Sequence, residues 1–186
     1  IELFCSLFKG RDDVFARRWC SKTSGKAGYQ PVCQNEWTPL CDKRKYKCAD
    51  CPNRLFSPLT YNDYYRHLEG KDADGRDVIG IYVLNVDNTC HLLCTDFDDK
   101  NCEHGYQDDV LSFVDVCKSW NVPCSIERSR SGNGAHVWIF FESPVLAVKA
   151  RKLGNAILTE AMNRDGKIGF KSYDRFFPNQ DTLPEG

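Results

Sequence analysis

Runs of alternating and periodic apolar positions, broken by turn residues, sort the chain into elements. Glu2 to Phe8 is short and apolar, and Lys9 to Asp13 is a turn. Val14 to Cys20 has strand character, Ser21 to Gly28 is rich in turn residues, and Tyr29 to Cys33 predicts the returning strand of a hairpin. Thr60-Tyr61-Asn62-Asp63 has the form of a helix cap, and Gly70 that of a helix stop. An acidic linker over Asp72 to Asp77 follows. Val78 to Val86 and Thr89 to Thr95 then predict two paired strands joined at Asp87-Asn88. Val110, Phe113, Val114 and Cys117 fall at helical spacing and form a core stripe. Pro123 to Glu127 and Ala135 to Phe141 predict strands, and Leu146 to Met162 predicts a helix with Ala150, Leu153, Ile157 and Ala161 facing inward. This order implies an α+β fold, a sheet covered by helices on one face.

Composition narrows the class. The 186 residues, 41% hydrophobic and 12% aromatic, are enough for a buried core and exclude wholesale disorder. No apolar run approaches membrane-spanning length, and no charged segment followed by an apolar one marks a secretory signal. A chain that begins at Ile1 is expected to be an excised fragment. The eleven cysteines are odd in number, and Cys90, Cys94, Cys117 and Cys124 fall inside apolar segments, where a thiol acts as a small core residue. A reducing, cytoplasmic setting with one metal cluster is therefore expected in place of a disulfide framework.

The net charge of −1 conceals an asymmetry: residues 1 to 54 carry +5 and residues 55 to 186 carry −6. The first part suits a polyanion and the second suits cations. Within the first, Cys33, Cys41, Cys48 and Cys51 form a C-x7-C-x6-C-x2-C array in a stretch too polar to make its own core. Four thiolates on one structural Zn²⁺ would staple it, the alternatives being free thiols or disulfides. Lys43, Arg44, Lys45, Lys47 and Arg54 surround the array with Trp37 and Tyr46 among them, a composition suited to phosphates and stacked bases. Arg17 and Arg18 on the hairpin either contact nucleic acid or belong to a solvated charged face. The expected organisation is an N-terminal module over residues 1–58, basic hairpin and zinc knuckle, and a catalytic core over 59–186.

Three stretches of the second part carry candidate chemistry. In Leu92-Leu93-Cys94-Thr95-Asp96-Phe97-Asp98-Asp99 a strand runs into carboxylates, and strand alternation places Asp96 and Asp98 on one side with Phe97 on the other. Such a pair is a divalent-metal clamp or a solvated strand end. Arg128-Ser129-Arg130-Ser131-Gly132-Asn133-Gly134-Ala135-His136 combines flexible glycines with a hydroxyl, an imidazole and two guanidinium groups; it is a phosphate cradle or an ordinary tight turn. In Gly169-Phe170-Lys171-Ser172-Tyr173-Asp174-Arg175-Phe176-Phe177-Pro178, Asp174 emerges from an aromatic segment expected to be buried, so it needs a partner: a metal beside Asp96 and Asp98, or a salt bridge to Arg175 or Lys171.

D-F-D, S-G-N-G-A-H-V-W and Y-D-R-F-F-P-N-Q-D, in this order, resemble the archaeo-eukaryotic primase superfamily. With the G-R-D-D-V-F-A-R-R-W start and the K-C-A-D-C-P-N-R knuckle, nearly the whole chain is similar to the primase-polymerase domain of TOTE conflict systems. The resemblance implies an archaeo-eukaryotic primase-like core, an RRM-like sheet with helices, that continues beyond Gly186. It implies metal binding by Asp96, Asp98 and Asp174. It also implies triphosphate binding by Ser131 and His136, to which Arg128, Gly132, Asn133, Gly134 and Lys171 add as nucleotide-binding candidates. The implied activity is template-directed nucleotidyl transfer with two Mg²⁺ or Mn²⁺ ions, acting on a DNA template and primer with nucleoside triphosphates. Such domains occur in bacterial and phage defence-type proteins, often fused to a superfamily II helicase, which implies that partner. A metal-dependent nuclease or a non-catalytic zinc-containing nucleic-acid-binding module are the competing functions.

Overall fold

The computed structural model describes residues 1–99, 105–164 and 171–183, so Gly169 and Phe170 of the third stretch lie outside the described residues. The N-terminal apolar stretch is a helix, α1 (Glu2–Leu7), and the hairpin forms as β1 (Phe15–Cys20) and β2 (Ala27–Pro31), antiparallel, with Arg17 opposite Gln30 and Arg18 opposite Tyr29. The capping signal at Thr60 starts α2 (Tyr61–Glu69). The Thr60 hydroxyl accepts the Asp63 N–H while the Asp63 carboxylate accepts the Thr60 N–H, and Gly70 closes the helix in the left-handed region. Val14, Phe15, Ala16 and Tyr64 are buried, and the Tyr64 hydroxyl donates to the Phe8 carbonyl at 2.8 Å.

The expected strand over Val78 to Val86 shortens to β3 (Ile79–Ile81). It pairs with β1, placing Phe15 opposite Ile81, and not with the strand that follows it. The turn after it does form, with Asn88 N–H donating to Asn85 O and Asn85 N–H to Thr89 O. The following strand is paired instead with β6 over Thr89 to Asp98 and with β7 over Cys94 to Phe97.

That strand is β4 (Thr89–Asp98), the centre of a second sheet. The helical stripe forms α3 (Gln107–Ser119), followed by β5 (Ser125–Arg128), β6 (Gly134–Leu146), α4 (Ala147–Arg164) and β7 (Tyr173–Phe177). The sheet order is β5-β6-β4-β7, every neighbouring pair antiparallel. Leu93, Phe97, Val137, Ile139 and Phe176 form one core with Val110, Phe113 and Cys117 of α3 and Ala150, Ile157 and Ala161 of α4. Strand alternation sends Cys94, Asp96 and Asp98 to the opposite face of the sheet.

The contacts gather into two compact units that divide between Tyr82 and Val83; the module boundary expected from the sequence falls at residue 58. Among the described residues, no helix is long and apolar enough to cross a membrane.

Candidate functional site

Strand register builds the site. Glu127 on β5 is opposite His136 on β6, His136 is opposite Asp96 on β4, and Asp96 is opposite Arg175 on β7. Directly opposed residues share a face, so these four make one transverse row across the whole sheet in which carboxylates alternate with nitrogen side chains. His136 Nε2 lies 3.5 Å from Asp96 Oδ1, and His136 Nδ1 lies 3.1 Å from Glu127 Oε2. The same Glu127 oxygen accepts the Trp138 indole N–H at 2.8 Å. Trp138 in turn stacks on Phe140, with ring centroids 6.3 Å apart.

Asp174 joins this row through a bulge. Asp96 is opposite Arg175 but Phe97 is opposite Tyr173, so Asp174 is the extra residue of β7. Such an insertion re-aims a side chain, here toward the Asp96 face. Asp174 is exposed, contrary to the burial expected of its aromatic segment, and Arg175 Nε donates to its carboxylate at 2.7 Å. The strand is pinned next to the site by a buried contact: the Ser172 hydroxyl and N–H both donate to Asp109 Oδ2, and the Ser172 carbonyl accepts the Asp98 N–H at 2.7 Å.

Burial pushes the Asp96 carboxyl above the ordinary aspartate value; His136 and Arg175 pull it back down, while Asp98 and Asp174 push it further up. Asp98 and Asp174 thus both act on Asp96. Among the described residues, no group of three or more His, Cys, Asp or Glu is set out as a metal site, and Asp174 is committed to Arg175. The donor set itself, all oxygen and mutually repelling, fits a hard divalent cation.

The stretch between β5 and β6 is a tight loop. Ser129 N–H donates to Gly134 O, Gly132 N–H to Ser129 O, and Asn133 N–H to the Ser131 hydroxyl, so these three backbone donors are spent inside the loop. Donors for a phosphate would come instead from side chains. Arg128 is held by the Gly132 carbonyl at 3.2 Å, a neutral partner that fixes the guanidinium without cancelling its charge, and Arg130, Ser131 and Lys171 are exposed. Gly134 is buried against β4: a Cβ there would lie 2.3 Å from Phe97 O and 3.1 Å from Asp98 Oδ1, so only glycine lets the loop close this near Asp98.

In the first unit, Cys33, Cys41, Cys48 and Cys51 line one small cavity of about 30 Å³, and all four are free thiols. The Leu55 N–H donates to Cys33 Sγ at 3.4 Å. Burial raises the Cys48 thiol, Lys43 lowers it, and Cys41 and Cys33 raise it, which puts three sulfurs in one electrostatic neighbourhood. An all-sulfur set around one cavity fits Zn²⁺ by its chemistry. Of the basic candidates, Arg17 is paired with Asp63 at 2.9 Å, Arg18 donates to Asp74 O at 2.9 Å, and Lys43 is paired with Glu36 at 2.7 Å. Lys45 lies over the Tyr46 ring, Arg54 donates to the Ala49 carbonyl, and Arg44 and Lys47 are exposed.

Two residues of the site escaped sequence reasoning. Glu127 is exposed and resembles any solvent-facing strand residue, but reflecting His136 across the loop would have found it, because the hairpin register pairs the two. Asp109 has no such signal, since its partner Ser172 is 63 positions away. Comparison with protein families matches residues 1–186 to the family described as the TOTE conflict system, Archaeo-Eukaryotic Primase domain. No curated protein matches the chain.

Proposed function

The chain belongs to the archaeo-eukaryotic primase domain family of TOTE conflict systems, and from that membership we propose that it is a primase-polymerase carrying out template-directed nucleotidyl transfer from nucleoside triphosphates. The family supports nucleotidyl transfer in general. The observation that carries the finer reading is the transverse row: three carboxylates, on β4 and β7, gathered beside a histidine on the strand that leaves the glycine loop.

In this proposal Asp96, Asp98 and Asp174 hold Mg²⁺ or Mn²⁺, which would supply charge neutralisation for the triphosphate and acidify the attacking hydroxyl. His136 donates a hydrogen bond to a phosphate oxygen through Nε2, and Glu127 holds the ring in place through Nδ1. Arg128, Arg130 and Lys171 add charge, Ser131 adds a hydroxyl, and Gly132, Asn133 and Gly134 shape the loop. Arg175 occupies Asp174 in this structure and would turn to phosphate as the carboxylate takes a cation. Cys33, Cys41, Cys48 and Cys51 hold structural Zn²⁺, and a superfamily II helicase is the proposed partner.

The test supplies labelled nucleotides with a primed template and Mn²⁺, and in parallel labelled DNA alone. Extension by the wild type that disappears in Asp98→Ala, with the variant still folded, is the expected result. Degradation of the DNA without extension would replace the polymerase by a nuclease.

A further inference from the structure

A groove of about 500 Å³ in the first unit runs between β1 and the cysteine-rich segment, and Trp37 stands at its edge. A second hollow of about 380 Å³ also borders Trp37 and is lined by Asp42 and Arg44. Trp37 and Lys43 border both. The Trp37 side chain is the most exposed large hydrophobic group among the described residues, at 85%, and its backbone sits at φ 66°, a region where a bulky residue is an outlier. The fold therefore holds an indole in solvent on a strained backbone. Lys43 Nζ stands 4.7 Å from the ring centroid, and Trp19 lines the same groove.

The charge around the ring is positive. Arg18 is anchored by the Asp74 carbonyl, which leaves its charge uncancelled by that contact; Arg76 is paired with Asp74 at 3.0 Å, and Lys43 shares Glu36 with Gln30. Arginine and lysine side chains around an exposed aromatic ring match an anionic polymer that also presents flat rings. A duplex buries its base faces in its own stack, so it would leave the indole unused.

We propose that this groove seats one single strand of nucleic acid, a base stacked on Trp37 and the flanking phosphates on Arg18 and Arg76 in the groove and on Arg44 in the second hollow. Its role as a template seat rests on the nucleotidyl-transfer reading, whereas the binding itself stands on the groove alone.

The test measures fluorescence anisotropy of labelled oligo-dT and oligo-rU, about ten nucleotides long, on the full chain across a salt series. Trp37→Gly removes the ring and relieves the left-handed backbone, so affinity should fall roughly tenfold while the melting temperature holds or rises. Trp37→Phe should recover most of the affinity. Arg18→Gln and Arg76→Gln should each flatten the salt dependence by about one phosphate contact. The two oligonucleotides decide between DNA and RNA. Wild-type affinity in Trp37→Gly overturns the proposal and leaves the indole for a protein partner; no measurable binding by the wild type overturns it as well. Asp98→Ala should bind the oligonucleotides normally. Binding that depends on Trp37 without any synthesis by the wild type would keep the groove and discard the polymerase, and synthesis with binding indifferent to Trp37 would do the reverse.

Discussion

Replacing Gly134 with alanine tests how tightly the glycine loop is closed onto the carboxylate strand. The new methyl would lie 2.3 Å from Phe97 O and 3.1 Å from Asp98 Oδ1, and the nearer obstacle is main chain that cannot rotate away. Relief to ordinary contact needs the strand ends to part by roughly 1 Å. Overpacking of this kind costs about 1–3 kcal/mol, here at the upper end. Loss of glycine's freedom in the unfolded chain offsets about 0.5–1 kcal/mol. The net loss is about 2 kcal/mol, a fall of about 4–8 °C in melting temperature for a chain of this size. Displacing the Asp98 carboxylate by that distance should also cut primer extension by about 10²-fold. Gly80→Ala is the matched control, because its nearest atoms, on Tyr29 and Ala16, are 3.4 and 3.6 Å away and its melting temperature should not fall. If Gly134→Ala melts with the wild type and extends primers at the same rate, the loop does not press on Asp98 and the argument fails.

Glu127→Ala should weaken nucleotide binding about tenfold, measured by calorimetry, since it frees both the His136 ring and the Trp138 indole, while Glu127→Gln keeps the acceptor and most of the affinity. Purified protein should carry one zinc per chain by elemental analysis; Cys48→Ser should lose it, and a chelator should lower the melting temperature of the wild type but not of that variant. Burial pushes the Tyr64 hydroxyl up to about 12, so its contribution is complete below the unfolded value of 10.0 and is lost as pH rises toward 12. Denaturation curves between pH 9 and pH 12 should therefore fall less steeply for Tyr64→Phe, and equal slopes would place the alkaline loss elsewhere.

Local signals in the sequence were legible where one short stretch decides the outcome. Thr60, Asp63 and Gly70 specify both ends of α2 without help from distant residues, and the inward faces of α3 and α4 follow from spacing alone. Pairing partners were less legible. The alternation over Val78 to Val86 says which side chains turn inward but carries nothing about which strand lies alongside, and that is where the hairpin with β4 was misplaced. Within the candidate site, the juxtaposition of Asp96, Asp98 and His136 was anticipated because distinctive residue types sit in short motifs on neighbouring strands. The bulge at Asp174 was not, since an extra residue is defined only against the strand it faces. Glu127 and Asp109 are ordinary carboxylates until the register and a 63-residue contact give them partners.

Among the described residues, β7 is an outer strand of its sheet, and outer strands offer unpaired backbone groups to any other chain in extended form. The unpaired backbone of a straight β7, with Phe177 exposed beside it, would make an adhesive edge. The extra residue prevents that, because Asp174 and Arg175 break the strand's regularity with two opposite charges side by side. Deleting Asp174 should restore a regular ladder, and the shortened chain should self-associate more than the wild type, measured by light scattering over a concentration series. In the proposed site this inserted residue would serve twice, as a ligand and as a break in an exposed strand edge.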